Sequence, residues 1–242
     1  QVAAFLGSAS DEEIIFTRGT TEAINLVAQV WGSHVLGPGD VILLTEMEHH
    51  SNLVPWQLAA QRSGATLKHV PITDDGELDL DQLDQLLTPE VKIFSFVHIS
   101  NSLGTINPAA ELCRKARALG VTTFVDGAQS AGHIPVNVQE IGCDFFALSG
   151  HKLCAPTGIG ALYARQEVLA KMAPWQGGGE MINRVNLQES TYKTGPVRFE
   201  AGTPNIADTI ALGAAIQWLE KVGVANIAQR DHALTQYAML RL

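Results

Sequence analysis

The chain has 242 residues, 46% of them hydrophobic and 17% charged, with a formal net charge of −9 and three cysteines. That length and apolar share support one sizeable α/β domain or two small ones. The acidic balance argues against general nucleic-acid binding and against anionic membranes.

The cysteines, Cys113, Cys143 and Cys154, have neither CxxC nor zinc-finger spacing. They read as reduced thiols, and the expected location is cytoplasmic. No apolar run is long enough to span a membrane. The start, "QVAAFLGSAS", lacks a basic signal-peptide region and an initiator Met, so a fragment is expected.

Strand and helix signals alternate from about Glu13 to Tyr163. "EIIFT" predicts a strand, and "TTEAINLVAQVWGSHV" an amphipathic helix with Ile24, Val27, Ala28 and Trp31 on one side. "PGDVILLTE" predicts a turn and a strand. "SNLVPWQLAAQRSG" predicts a helix with Ser51 as N-cap, Pro55 in the first turn and Gly64 as stop. "TLKHVPI" predicts a strand and "DLDQLDQLL" a short helix. "VKIFSFVHIS", "VTTFVDGAQ" and "CDFFALSG" predict three more strands, with the helix "AAELCRKARALG" before the second. Such alternation implies parallel strands with crossover helices, hence a layered α/β fold. Residues 175–205 are polar and Gly-rich and predict a long loop. Two helices follow, "ADTIALGAAIQWLEKVG" and "VANIAQRDHALTQYAMLRL".

In open α/β sheets ligands bind beyond the carboxyl ends of the strands. Unusual residues that follow a predicted strand are therefore the candidates. Thr20 and Thr21 open a helix after "IIFT" behind Gly19; they suit a phosphate cradle or a simple N-cap. His49 and His50 follow "VILLT". Adjacent histidines without an HExxH pattern are poor metal ligands, and one imidazole better suits stacking on a flat cofactor. Asn101 could orient a substrate or serve a turn. Asp126 ends an apolar strand, where a carboxylate needs either a structural cation or a protonated heterocyclic nitrogen. Lys152 lies between a buried strand and a Gly/Pro turn, beside Ser149 and His151, and its amine could form a Schiff base with an aldehyde. A phosphate cradle, a stacking ring, a carboxylate for a pyridinium and a lysine for an aldehyde match the four handles of pyridoxal 5'-phosphate (PLP).

With these residues laid out, the sequence resembles the class-V aminotransferase family, and within it the group II cysteine desulfurases and selenocysteine lyases. "TRGTTEAINLVA", "MEHHSNLVPWQ", "VDGAQS", "SGHKLCAPTGIG", "PWQGGGEMI" and "RFEAGTPN" carry the resemblance in order. It implies PLP held covalently by Lys152, its ring nitrogen on Asp126, its ring under His49 and its phenolic oxygen on Gln129. Thr20, Thr21, Ser149 and His151 would take the phosphate, and Thr203 the phosphate of a neighbouring subunit, hence a homodimer. Asn101 would help seat the substrate carboxylate, and Lys152 and His49 would carry protons.

The implied fold is the large domain of the type I PLP-dependent transferases, a mainly parallel seven-stranded sheet with helices on both faces. It would occupy residues 1–220, N-terminally truncated, with 221–242 leading to a small C-terminal domain. The implied reaction converts L-cysteine to L-alanine and an enzyme-bound persulfide. The sulfur would pass to an acceptor protein of iron–sulfur cluster assembly. A selenocysteine lyase, another class-V aminotransferase or β-lyase, and a PLP-binding fragment without turnover are the alternatives. The family's persulfide-forming cysteine and substrate-binding arginine are expected beyond Leu242. Cys154 stands where relatives have Tyr, and is not expected to be the nucleophile.

Overall fold

A computed structural model describes the whole chain, Gln1 to Leu242. Seven strands form one sheet: β1 (Ile14–Thr17), β2 (Val41–Thr45), β3 (Thr66–Val70), β4 (Val91–Val97), β5 (Thr122–Asp126), β6 (Phe145–Ser149) and β7 (Gly160–Ala164). Their order across the sheet is β1-β7-β6-β5-β4-β2-β3. Only β7 runs against its neighbours, antiparallel to both β1 and β6. The sheet expected from the resemblance is therefore present.

Alternate residues of each strand feed two separate cores, one per face. Val41 and Leu43 of β2 and Phe146 and Leu148 of β6 enter the first. Ile42, Leu44, Phe145 and Ala147 enter the second. Burial on both faces is why these strands read as unbroken apolar runs rather than alternating ones. Helices α1 (Val2–Leu6), α4 (Leu80–Leu86), α5 (Ala109–Ala118), α6 (Val138–Ile141) and α8 (Ile206–Val222) supply buried side chains to the first core. Helices α2 (Thr20–Val35), α3 (Val54–Ser63) and α7 (Gln166–Leu169) cover the second. Helix α5 shows the logic: Ala109, Leu112, Cys113 and Ala116 recur at helical spacing and are all buried. Phe146 is fully buried, and a side chain at Gly127 would collide with its ring. Truncating Phe146 to Ala would cost ~3–5 kcal/mol. A last helix, α9 (Val224–Met239), turns off α8 at Gly223 and buries no residue.

The structure departs from the sequence reading at Ser51, at β7 and in residues 175–205. Ser51 does not cap α3; it lies in a 3-10 turn, His50–Asn52, and Leu53 occupies the cap position without a capping bond. Pro55 and the left-handed Gly64 act as expected. Strand β7 was not visible in the residue pattern, because "GALYA" is short, follows a turn and contains no alternation. The supposed loop 175–205 contains a small hairpin, β8 (Ile182–Val185) with β9 (Ser190–Tyr192), and a 3-10 turn at Pro196–Phe199. Residue 220, where the large domain is expected to end, lies in the last turn of α8, whose C-cap is Gly223.

Candidate active site

The carboxyl ends of β2, β4, β5 and β6 and the start of α2 border one cleft of about 270 Å³. Thr20, Thr21, His49, Asn101, Asp126, Gln129, Ser149, His151 and Lys152 all line it. Three further lining residues, Ser51, Val97 and Ala128, were not read from the sequence as site residues. Thr203 is elsewhere. It lines a neighbouring cleft of about 370 Å³ with Arg18, Trp175 and Glu200.

Sheet register makes the convergence. Gly160 of β7 pairs with both Thr17 and Ser149, bringing the ends of β1 and β6 to one level. A Cβ at Gly160 would run into the Leu148 carbonyl and the Gly19 backbone, so only glycine lets these chains approach so closely. Gly19, at φ 148°, takes a backbone conformation that other residues avoid and turns the chain into α2. The Thr20 N–H then donates to Ser149 Oγ at 2.9 Å, and Ser149 Oγ donates to Thr20 Oγ1 at 2.9 Å. Thr21 Oγ1 and Ser51 Oγ are 2.8 Å apart. Four hydroxyls thus collect at the N-terminus of a 16-residue helix. That end carries partial positive charge and free N–H groups, so the arrangement suits an anion such as a phosphate.

Asp126 is the last residue of β5 and is 2% exposed. Its Oδ1 accepts from the Ala128 N–H at 2.9 Å, and no ion-pair partner holds it. Burial raises its pKa above the usual carboxylate value; the Ala128 bond and the charges of Lys152 and His49 work the other way. Lys152 ends the 3-10 turn Gly150–Lys152 that follows β6, half-buried.

His49 Nδ1 accepts from the Ser51 N–H at 3.1 Å. A backbone N–H can only donate, so the neutral ring carries its proton on Nε2. Gln129 is half-buried, and exposed Asn101 donates weakly to Ser102 Oγ at 3.3 Å.

Glu48, which precedes His49, was passed over in the sequence. Its carboxyl is enclosed and pushed up to about 8, first by burial and in small part by Asp126. Only its adjacency to His49 could have signalled it. Cys113 and Cys143 are buried, with their thiols pushed up by burial, Cys113 to about 12. Cys154 is exposed, with a positive φ of 60°. None of the three lines the cleft.

The sequence profile of class-V aminotransferases matches residues 1–242. A probable cysteine desulfurase from Halalkalibacterium halodurans is 51% identical over 242 residues, covering 100% of this chain and 60% of that protein. A cysteine desulfurase from Dickeya dadantii is 51% identical over 243 residues, with 100% and 59% covered. The chain therefore spans about 60% of the length of these relatives. Among solved structures, apo cysteine desulfurase from Thermococcus onnurineus NA1 superposes with a TM-score of 0.95 at 41% identity, covering 98% of this chain and 59% of that one. The cysteine desulfurase CsdA from Escherichia coli gives 0.90 at 43% identity, covering 92% and 56%.

Proposed function

The chain belongs to the class-V aminotransferase family, and on that premise we propose that its cleft holds PLP and serves a cysteine desulfurase. The observation that carries this reading is Asp126: a buried carboxylate without an ion-pair partner, facing the same cleft as Lys152 and His49. A pyridinium N–H is the kind of donor such a group lacks. The hydroxyl cluster at the start of α2 fits the phosphate, and Lys152 the aldehyde. The residues present thus fit the cofactor.

When bound, PLP supplies an electron sink for bonds at the substrate Cα. Everything else falls to the chain. Asp126 keeps the ring nitrogen protonated. Thr20, Thr21, Ser149 and His151 bind the phosphate, and Gln129 the phenolic oxygen. His49 stacks on the ring with Nε2–H as its donor. Lys152 Nζ holds the cofactor at rest and carries protons to and from the substrate once released. Asn101 helps orient the substrate carboxylate.

L-cysteine gives L-alanine, and its sulfur leaves to a thiolate. Buried Cys113 and Cys143 are unsuited to that attack, and Cys154 is outside the cleft. The sulfur-accepting thiol is therefore none of the three. Thr203, away from its own chain's cleft, reaches the phosphate of a second subunit in a homodimer. The expected setting is cytoplasmic, with an iron–sulfur assembly protein as sulfur acceptor; no helix is long and apolar enough to cross a membrane. Selenocysteine differs from cysteine by one atom, with the same amine and carboxylate to be held, so the same cleft would serve a selenocysteine lyase.

Borohydride reduction in the presence of PLP followed by peptide mapping tests the cofactor assignment. The reduced adduct is expected on Lys152, and its appearance on another lysine would reject the assignment. Alanine release from L-cysteine compared with L-selenocysteine then decides the substrate.

A further inference from the structure

Glu48 does not line the cleft, yet it is the centre of the polar network behind it. Its Oε2 accepts from Asn52 Nδ2 at 2.6 Å, and its Oε1 from the Val97 backbone N–H at 3.0 Å, with the Thr45 hydroxyl also on Oε1. Asn52 is fully buried, and its Oδ1 accepts from Trp56 Nε1 at 2.9 Å and from Ser95 Oγ at 2.6 Å.

The direction of these bonds is not free. An indole N–H can only donate, which makes Oδ1 the accepting end of Asn52 and Nδ2 the donating end. The Val97 N–H can only donate as well. Two fixed donors therefore meet the two oxygens of one carboxyl. Any proton on Glu48 has its natural place on the Oε1 side, toward Thr45.

The placement matters because of the neighbours. His49 is the next residue in the chain. Val97 is the register partner of Asp126 across β4 and β5. We infer that Glu48 is a positioning residue: its carboxyl bolts the turn that carries His49 onto β4 at Val97, and so sets the imidazole relative to Asp126. The inference rests on the proposed function only in that His49 and Asp126 are taken to engage the same ligand.

The fixed donors also supply a test. Glu48→Gln keeps shape and size, but sets an amide NH2 against either Asn52 Nδ2 or the Val97 N–H. Adding Asn52→Asp reverses the polarity of that link: the aspartate still accepts from Trp56 and Ser95, and its other oxygen accepts the new amide. The first readout needs no cofactor. Long-range 1H–15N spectra of the cofactor-free protein are expected to show His49 in one Nε2–H form with Nδ1 hydrogen-bonded. Glu48→Gln should average that pattern, and Glu48→Gln/Asn52→Asp should restore it.

The second readout is PLP titration. Glu48→Gln should weaken binding about tenfold, the loss that follows when a buried donor is left facing another donor, and the double variant should recover most of it. An unchanged His49 pattern in folded Glu48→Gln overturns the role. If that variant does not fold, the double variant decides alone: failure to fold, or to hold His49 in one form, overturns it. Absence of PLP binding by the unaltered chain would count against the proposed function, while the first readout would still decide the role of Glu48.

Discussion

Two aspartates are buried in the same sheet, one at each end of neighbouring strands, and their surroundings differ. Asp144, just ahead of β6, is 5% exposed. Its Oδ1 is 2.6 Å from Arg165 Nη2, and its Oδ2 accepts from the Thr123 N–H at 2.8 Å and the Thr123 hydroxyl at 3.1 Å. Asp126, at the far end of β5, is more deeply buried at 2% and has one backbone hydrogen bond and no ion pair. Burial alone therefore does not mark a functional carboxylate. Asp144 clamps β5 to β6, with its charge paired to Arg165 and one oxygen hydrogen-bonded to Thr123. Asp126 is left short of partners on the side that faces the cleft, where a ligand can complete it.

The comparison can be broken most forcefully at Lys152, which lines the same cleft as Asp126. Lys152→Ala should abolish the reducible PLP adduct altogether, as mass spectrometry of the reduced protein would show. Asp126→Asn should weaken PLP binding at least about tenfold, the worth of a charge-assisted hydrogen bond in a dry site, while leaving the thermal midpoint unchanged or higher. A fall in stability without a change in affinity would make Asp126 a second Asp144.

Asp144→Asn is expected to do the reverse. It should cost about 1–2 kcal/mol in denaturant unfolding, below the range for fully buried pairs because Arg165 is 41% exposed, and leave PLP affinity unchanged.

The pH dependence sharpens the contrast. Glu48 and Asp126 both have raised pKa values, Glu48 to about 8. The folded chain then keeps protons that the unfolded chain has already released, so ν in the native state exceeds ν in the unfolded state. Unfolding free energy from these groups is greatest below the ordinary carboxylate range and declines as pH rises through the folded values. Cofactor-free protein should therefore lose on the order of 1 kcal/mol or more between pH 5 and pH 8.5, and Asp126→Asn should flatten that slope. The ionisable groups facing Asp126 are Glu48, Lys152 and His49, and the slope is carried by Asp126 and Glu48.

The smallest effect is expected at Cys154, outside both environments. Cys154→Ser should leave PLP loading unchanged and shift stability by less than ~0.5 kcal/mol, as calorimetry would report. Loss of adduct formation in that variant would place Cys154 in the cleft after all.

Much of this was legible before any coordinates. Six of the seven sheet strands stood out as apolar runs bounded by turn residues, and Asp126, Ser149 and Lys152 stood out because polar groups end or follow such runs. What escaped notice had no local signature. Strand β7 is five residues long and reads as the tail of a turn. Ser51 has the chemistry of an N-cap, yet its neighbours fold into a 3-10 turn and its hydroxyl faces Thr21. Glu48 looks like one more surface acid until Asn52, Thr45 and Val97 close around it.

The sequence by itself determined which groups exist and that each follows a strand, because side-chain periodicity and turn chemistry act over a few residues. The tertiary structure alone decided that they meet. Thr20 and Ser149 are 129 residues apart in the chain and 2.9 Å apart in space. That approach depends on β7 reversing direction between β1 and β6 with a glycine at the crossing, a pairing no local pattern encodes. It also decided which buried acid is ion-paired and which is not, because a partner such as Arg165 comes from another strand's end.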